Sequence, residues 1–327
     1  MVPVQEIAFG RVEQVHLHAV SYHAGYQPED QLDPRVSSEM RDPNADAPPK
    51  TDEVREQASN DASQAGGREP DLPGTRMAET RTVYELRGRT YRLRNSEIAT
   101  MVEVGKFRAV ASEDLAEFAY GGNNDRMRPD VENLVRQGLV EMKSIPHEET
   151  GSRRLLTLTK NGHRFLTQTQ SASKAQALYH GFAKPREAHH DADLYRLYHK
   201  AAAKIAGQGG KNLRVVLDYE LKKRVYHDLA KLGPDRASVE SKRTVAERHG
   251  LQVVHGKIPL PDVRIEYDTP DGEKSRVDLE LATGHYRGRT LAEKVRAGFS
   301  LYAHRDDVSK LRRVLDQHEL TAEILSL

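Results

Sequence analysis

The chain has 327 residues, 37% of them hydrophobic, which is enough for two ordinary domains plus a segment that lies outside any core. Its 50 lysines and arginines nearly balance its 49 aspartates and glutamates, so any electrostatic attraction to a partner must depend on where the charges lie. Cysteine is absent, which excludes disulfides, zinc thiolate sites and cysteine nucleophiles; with no apolar run of membrane-spanning length and no secretion signal, we expect a cytoplasmic protein without a membrane partner.

The first 79 residues predict little folded structure. Residues 1–27 alternate weakly between apolar and polar side chains and predict a short segment with a strand or two at most. His16, His18 and His23 lie there at a spacing compatible with a metal site, but scattered histidines on a surface strand are commoner. Residues 28–79 carry 13 acidic against 6 basic residues and are rich in Pro, Asp, Ser and Gly. Their apolar surface is too small to offset the entropy of ordering, which predicts a disordered acidic linker.

Regular structure is predicted to begin at residue 80. A short hairpin precedes three segments whose apolar residues recur at helical spacing, and these helices begin near Asn95, Ser112 and Arg126. Two short strands joined by a polar turn follow, and then a further helix. Three helices followed by a two-stranded wing are typical of the winged helix-turn-helix, so residues 80–168 are predicted to form a winged-helix DNA-binding domain.

The stretch LVRQGLVEMKS…GSRRLLTLTKNGHRFL resembles the third helix and wing of bacterial winged-helix regulators. In such domains the third helix enters the major groove and the wing contacts the phosphate backbone, so both need cations at their tips. The candidate DNA-binding residues are Arg126, Arg128, Arg136, Arg153, Arg154, Lys160 and Arg164. The alternative is a winged helix used for protein contacts or dimerisation, with these cations as a solvated face.

Residues 169–187 lack periodicity and predict a connector to a second domain over residues 188–327. This domain opens with an amphipathic helix. His189, His190 and Asp193 at the start of that helix suggest a ligand cluster, but an acid near a helix N-terminus is ordinary capping, which we favour.

Residues 260–282 predict a β-hairpin that places carboxylates on one face. Apolar residues alternate along the second arm, so Asp278 and Glu280 project from the other face, with Asp262 at the start of the first arm. Carboxylates that meet at one sheet edge repel each other unless a cation lies between them, an arrangement that binds Mg²⁺ for phosphodiester chemistry. Asp262, Asp278 and Glu280 are therefore the candidate metal ligands. The alternative is the solvated face of a half-exposed antiparallel strand.

The order of elements in this domain is similar to that of the PD-(D/E)xK nuclease superfamily. A junction carrying Glu220 is followed by a Pro–Asp pair at Asp262, a strand with acids at i and i+2, and a crossover helix. The resemblance implies that Glu220 is an upstream acid, Asp262 a metal ligand and Glu280 the strand acid. It also implies a lysine that orients or activates the attacking water.

Ala282 stands where that lysine is expected. Three explanations remain open. A carboxylate of the Asp278 and Glu280 pair replaces the lysine, or Lys294 reaches in from the following helix, or the fold is retained without its chemistry. The catalytic candidates are Glu220, Asp262, Glu280 and Lys294.

Over about residues 80–305 the chain resembles the replication-relaxation family of plasmids and mobile elements, through HHDADLYRLYHK and LPDVRIEYD…VDLELATGHYRGRTLAEKVRAGFSLYA. Ala282 and the long acidic N-terminal segment depart from that pattern. The resemblance implies a winged helix followed by a PD-(D/E)xK-like α/β domain, an α+β or α/β fold overall, in a protein that handles double-stranded DNA.

Two functions follow from this resemblance. The first is a DNA-binding accessory protein of replication, relaxation or transfer, whose nuclease-like domain serves as a scaffold or as a homodimer interface. The second is a Mg²⁺-dependent endonuclease or nickase whose site uses Glu220, Asp262, Asp278, Glu280 and Lys294.

Overall fold

The computed structural model describes residues 55–57, 80–147, 151–182, 187–284 and 286–327. The expectations for residues 1–27, including the three histidines, and for most of residues 28–79 concern parts of the chain outside these ranges. The described residues form a mixed α/β structure, which confirms the predicted fold class at that level.

The first half of the described chain contains two small sheets and four helices. In chain order these elements are β1 (Arg55–Gln57), β2 (Thr82–Leu86), β3 (Arg89–Leu93), α1 (Asn95–Gly105), β4 (Val110–Ala111), α2 (Ser112–Tyr120), α3 (Asn124–Arg136), β5 (Val140–His147), β6 (Gly151–Leu158) and α4 (Lys160–Gln168). One sheet has the order β1-β2-β3 and the other β4-β6-β5, and all neighbours are antiparallel. Strand β1 lies within the segment for which the sequence predicted no structure.

Turn and capping residues explain where these helices begin and end. Gly121 follows α2 with a φ of 60°, a left-handed conformation that glycine adopts without steric cost. The Asn123 side chain accepts a hydrogen bond from the Arg126 backbone N–H at 3.0 Å and caps α3. Thr159 caps α4 in the same way, through the N–H of Gly162 at 3.0 Å.

The second half of the described chain is built on one five-stranded sheet. Its elements are α5 (Ala188–Gly207), β7 (Lys211–Leu217), α6 (Asp218–Lys231), α7 (Val239–Arg248), β8 (Val263–Asp268), β9 (Lys274–Leu281), α8 (Gly288–Arg296), β10 (Ser300–Ala303), α9 (Arg305–Gln317) and β11 (Ile324–Ser326). The strand order is β11-β10-β9-β8-β7. Strands β7, β8 and β9 are antiparallel, whereas β10 runs parallel to β9 after the α8 crossover. Of the helices within the described ranges, none has both the length and the apolar composition that crossing a membrane requires.

Helices cover both faces of this sheet. Val215, Ile265 and Leu279 on one face belong to the same apolar cluster as Leu194 and Leu197 of α5, and that cluster continues into the first half of the chain. The opposite face is covered by α6 and α7 near β7, and by α8 and α9 near β10. Consecutive residues are buried along one end of each of the strands β7 to β10, and because successive side chains point to opposite faces, they contribute to both apolar faces. The apolar cluster that holds α5 includes residues of both halves of the described chain.

A buried ionic network joins α2, β6 and α5. Arg153 of β6 is only 7% exposed, and its guanidinium donates to Glu113 at 2.7 Å, Asp114 at 2.8 Å and Asp193 at 2.6 Å. Asp193 in turn contacts His304 Nε2 at 3.1 Å. Burial by itself lowers the pKa of Arg153. The surrounding carboxylates, of which Asp193 has the largest effect, outweigh burial, so the pKa of Arg153 is raised. Arg153 therefore differs from the exposed wing-tip cation that the sequence predicted, and Asp193 is an ion-pair partner rather than a cap.

We predict that Arg153→Ala destabilises the protein strongly, whereas Arg154→Ala does not. Removing Arg153 leaves buried carboxylates without their counterion, which typically costs about 3 to 5 kcal/mol. Arg154 is the exposed neighbour on the same strand, and its removal should change the free energy of unfolding by less than about 0.5 kcal/mol. Urea unfolding of both variants measures the difference. Equal midpoints would show that the network contributes nothing to stability.

Candidate functional site

Asp262 and Glu280 lie side by side where β8 begins and β9 ends. Strand pairing sets Val263 of β8 opposite Leu279 of β9, so the residues that flank this pair, Asp262 and Glu280, share a face. The Asp262 carboxylate accepts a hydrogen bond from the Leu281 backbone N–H at 2.9 Å through Oδ2. The structure thus brings two of the predicted metal ligands together.

The Glu280 carboxylate is fully buried, and its two oxygens have different surroundings. Lys294 Nζ lies 2.7 Å from Oε1, and the Tyr286 hydroxyl donates to the same oxygen. The other oxygen, Oε2, is buried without a hydrogen-bond partner among the described residues. Burial and the neighbouring Asp262 charge raise the pKa of Glu280 to about 7, against the opposing effects of Lys294 and Tyr286.

Lys294 points inward from α8. Besides contacting Glu280, its ammonium donates to the Leu260 carbonyl at 2.6 Å and lies 5.7 Å from the ring centroid of Phe299. Ala282, the position at which the resemblance expects a lysine, is fully buried among apolar side chains that include Leu291. A lysine at that position would be buried beneath α8, so the cation beside Glu280 comes from the helix instead.

His190 and Asp218, which sequence reasoning did not assign to the site, contact Asp262, and Asp191 follows His190 on α5. His190 of α5 places Nε2 3.7 Å from Asp262 Oδ1. Burial lowers the pKa of His190, but hydrogen bonding and attraction to Asp262 outweigh burial and raise it to about 9. Asp191 is buried, which raises its pKa to about 6, and its Oδ2 has no partner among the described residues. The Asp218 backbone N–H donates to the Asp262 carbonyl at 3.1 Å.

The only sequence signal for these residues is that they start α5 and α6 beside the sheet. The histidine pair at the start of α5 was interpreted as part of a helix cap. Nothing local in the sequence indicates that this helix end meets the end of β8, because that contact depends on the packing of α5 across the sheet.

Asp278 and Glu220 are held elsewhere by arginines. Asp278 receives a bidentate ion pair from the buried Arg264, its cross-strand neighbour, at 2.6 and 2.8 Å. Glu220, in the first turn of α6, is paired with Arg214 and Arg224. No contact between described residues joins either acid to Asp262 or Glu280. In the part of the chain that the structure describes, no three Asp, Glu or His side chains are grouped so that they could hold a metal ion.

The predicted DNA-binding residues, apart from Arg153, lie on exposed surfaces of the first half. They are distributed over α3, β6 and α4, and none forms an ion pair with another described residue. These exposed cations are Arg126, Arg128, Arg136, Arg154, Lys160 and Arg164.

Neither a scan against protein-family models nor a search of curated proteins found a match for this chain. The function must therefore be inferred from the residues and their geometry.

We predict that Glu280→Gln reduces the pH dependence of stability between about pH 4.5 and pH 7. The pKa of Glu280 is raised from its ordinary 4.5 to about 7, so in this interval the folded protein binds the proton more tightly than the unfolded chain. Stability should then fall as the pH rises through the interval, and the variant should lose this contribution. The variant should still show a smaller decrease in stability with rising pH, because burial raises the pKa of Asp191 to about 6.

Urea unfolding at several pH values measures the slope. Glu273→Gln is the matched control, because Glu273 is exposed in the turn between β8 and β9, and this variant should keep the wild-type slope. An unchanged slope in Glu280→Gln would mean that Glu280 is ionised across the whole interval.

Proposed function

We propose that this chain is a DNA-binding protein of a plasmid or mobile element, whose second half is a Mg²⁺-dependent endonuclease or nickase. The observation that carries this proposal is the convergence of Asp262, Glu280 and Lys294 at one end of the sheet. Two acids that could hold a Mg²⁺ ion and a lysine that could orient the attacking water are the groups used by the PD-(D/E)xK nucleases that this half resembles.

The topology of the second half supports a nuclease-like fold. The succession α5, β7, β8, β9, α8, β10 is similar to the core of the PD-(D/E)xK superfamily, with α6 and α7 inserted after the first strand. Asp262 at the start of β8 and Glu280 near the end of β9 match its acid positions. On this alignment the acid contributed by the first helix would be Asp191 rather than Glu220.

Asp262 and Glu280 suit a single Mg²⁺. This ion prefers oxygen ligands and is usually held by one or two carboxylates while it keeps several waters. In Asp262, Oδ2 accepts the Leu281 N–H and Oδ1 lies 3.7 Å from His190 Nε2, whereas in Glu280 Lys294 and Tyr286 both contact Oε1. Oxygen Oε2 of Glu280, buried without a partner among the described residues, would be a ligand. When bound, Mg²⁺ would stabilise negative charge on the phosphate oxygens.

Lys294 would orient the water molecule that attacks the phosphodiester and would not contact the metal. Its ammonium is fixed by the Leu260 carbonyl and by Oε1 of Glu280, so it sits beside the acids in one orientation. From there it can donate a hydrogen bond that orients the attacking water. Its position on Oε1 also leaves Oε2 as the open side of the Glu280 carboxylate.

The first half would bind double-stranded DNA and so place the candidate site of the second half next to it. Helices α1 to α3 followed by the β4-β6-β5 sheet are in the order of a winged helix, with α3 in the recognition position. The exposed cations of α3, β6 and α4 supply the charge that phosphate contacts need. Arg153 has no part in this surface, because its guanidinium is occupied by carboxylates.

A second candidate is a DNA-binding protein whose nuclease-like half is only a scaffold. The ion pair between Lys294 and Glu280 favours it, because an ammonium next to the strand acid can replace a metal as well as assist one. Duplex DNA would then bind through the winged helix alone.

We predict that the wild-type protein nicks supercoiled plasmid in Mg²⁺ or Mn²⁺ and that Asp262→Asn and Glu280→Gln do not. Each substitution removes a ligand charge while it preserves the size of the side chain. The conversion of supercoiled to open-circular DNA measures the rate, and Glu273→Gln, which changes an exposed acid of the same strand pair, should retain it. Nicking that persisted in both site variants would come from a contaminating nuclease.

We predict that Lys294→Met separates the two candidates. If the lysine is catalytic, the variant should still bind Mn²⁺, while its nicking rate falls by roughly 100-fold or more because the water is no longer oriented. If the lysine merely replaces the metal, Mn²⁺ should bind more tightly to the variant than to the wild type, and neither protein should cleave. Titration calorimetry with Mn²⁺ measures the affinity. Absence of binding in both proteins would reject the nuclease and leave the DNA-binding function.

A further inference from the structure

A small cleft lies between the tip of the β2–β3 hairpin and helix α4. Its volume is about 210 Å³, and Leu86 and Phe165 form the apolar part of its lining. The polar part consists of three arginines, two amides and a tyrosine: Arg87, Arg89, Arg164, Asn161, Gln168 and Tyr91. Among the described residues, no carboxylate lines it. We call it the hairpin cleft.

Secondary structure directs these polar side chains into the hairpin cleft. Alternation along β3 puts Arg89 on the same face as Tyr91, and that face packs on α4, where Tyr91 meets Phe165 edge to face at 5.6 Å between ring centroids. Glu85 falls on the opposite, exposed face of the hairpin. On α4, Arg164 shares one stripe with the two amides because they are spaced at i−3 and i+4 from it.

The turn that carries the first arginine is conformationally unusual. Arg87 has a φ of 49° and Gly88 a φ of 71°, so both central residues of the two-residue hairpin turn are left-handed. Asparagine or glycine normally occupies the first of these positions, because a bulky side chain is disfavoured there. An arginine kept at a strained position is a reason to look for a function at the hairpin tip.

Arg89 and Arg164 bring two guanidinium groups to one concave surface, where a bound anion would offset the repulsion between them. The planar donor fork of arginine matches phosphate oxygens in a bidentate geometry, and amide side chains add further donors. The volume of about 210 Å³ is below the roughly 300 Å³ at which pockets begin to enclose a drug-sized ligand. The hairpin cleft therefore fits one phosphate group better than a whole nucleotide.

Hydrogen bonds also fix the position of the hairpin relative to α3. The Gln137 side chain accepts the Arg92 backbone N–H at 2.9 Å and donates to the Arg92 carbonyl at 3.0 Å, and Asn133 donates to that carbonyl at 3.3 Å. The hairpin tip thus keeps a defined position relative to the proposed recognition helix, as a second contact with the same DNA would require.

We propose that the hairpin cleft binds a backbone phosphate of the DNA, beyond the contacts made by α3 and the wing. This proposal rests on the proposed function, in that the chain is taken to bind duplex DNA. Arg89 and Arg164 hold the phosphate, and the hairpin extends the footprint of the winged helix.

The test is the salt dependence of duplex binding by the full chain, measured by fluorescence anisotropy. Removing one protein–phosphate interaction should make the slope of log K against log salt less steep by about 0.9. Arg89→Ala, which leaves the α4 cations of the proposed function in place, should show this change, and Arg89→Lys, which keeps the charge, should largely restore the slope. The matched control is Arg312→Ala with Arg313→Ala, two exposed arginines of α9, which should keep the wild-type slope. Thermal unfolding confirms that each variant is folded.

Arg128→Ala with Arg136→Ala, on α3, reports on the proposed function in the same assay. If this variant weakens binding while the cleft variant keeps the wild-type slope, the cleft proposal is overturned and the DNA-binding function stands. If the wild type does not bind duplex DNA, both are overturned. A second arm compares thermal stabilisation by inorganic phosphate and by chloride at equal ionic strength. Stabilisation by phosphate that the cleft variant loses, with an unchanged DNA slope, would assign the cleft to free phosphate and reject the nucleic acid.

Discussion

The burial of the Glu280 carboxylate is the constraint on which the site depends. Removing a carboxylate from water costs several kcal/mol unless donors or a counterion replace the lost hydration. At Oε1 that replacement is complete, since Lys294 and Tyr286 both contact it. At Oε2 no described residue supplies it, which favours a proton or a cation there and agrees with the raised pKa of Glu280. The chemical character of the site follows from this imbalance between two oxygens of one side chain.

The position of α5 connects this site to the first half of the chain. Asp193 is held by Arg153 of β6, and three residues earlier on the same helix His190 lies against Asp262. The start of α5 therefore contacts β6 of the β4-β6-β5 sheet on one side and the acid at the start of β8 on the other. Two separate ion pairs near the start of α5 thus lie between β6 and the candidate site.

The local sequence pattern predicts the helices and strands and one face of the candidate site. It does not predict which residues form ion pairs with the charged side chains. The alternation of the β8–β9 hairpin places Asp278 and Glu280 on one face, because a strand has a fixed period of two, and the observed register then sets Asp262 beside Glu280. Only the cross-strand neighbour Arg264 explains why the carboxylate of Asp278 is engaged elsewhere. Arg153 likewise looks like a wing cation until residues about 40 positions away supply its carboxylates. Such long-range pairings depend on the register of strands and on helix packing, which composition and periodicity do not contain.

The contacts of Lys294 bear on whether the candidate site is active or belongs to a nuclease-like fold that has lost its chemistry. A buried ion pair with a purely structural role is expected to satisfy all of its polar atoms, because each buried group without a partner is destabilising. Here two donors share Oε1 of Glu280 and no described residue reaches Oε2, although Tyr286 is close enough to contact the carboxylate. The ammonium is further tied to the Leu260 carbonyl, two residues before Asp262, so it braces both acid-bearing strands. The ammonium thus links the acid-bearing ends of β8 and β9, while Oε2 of Glu280 has no partner among the described residues, an arrangement that is compatible with the proposed cation site.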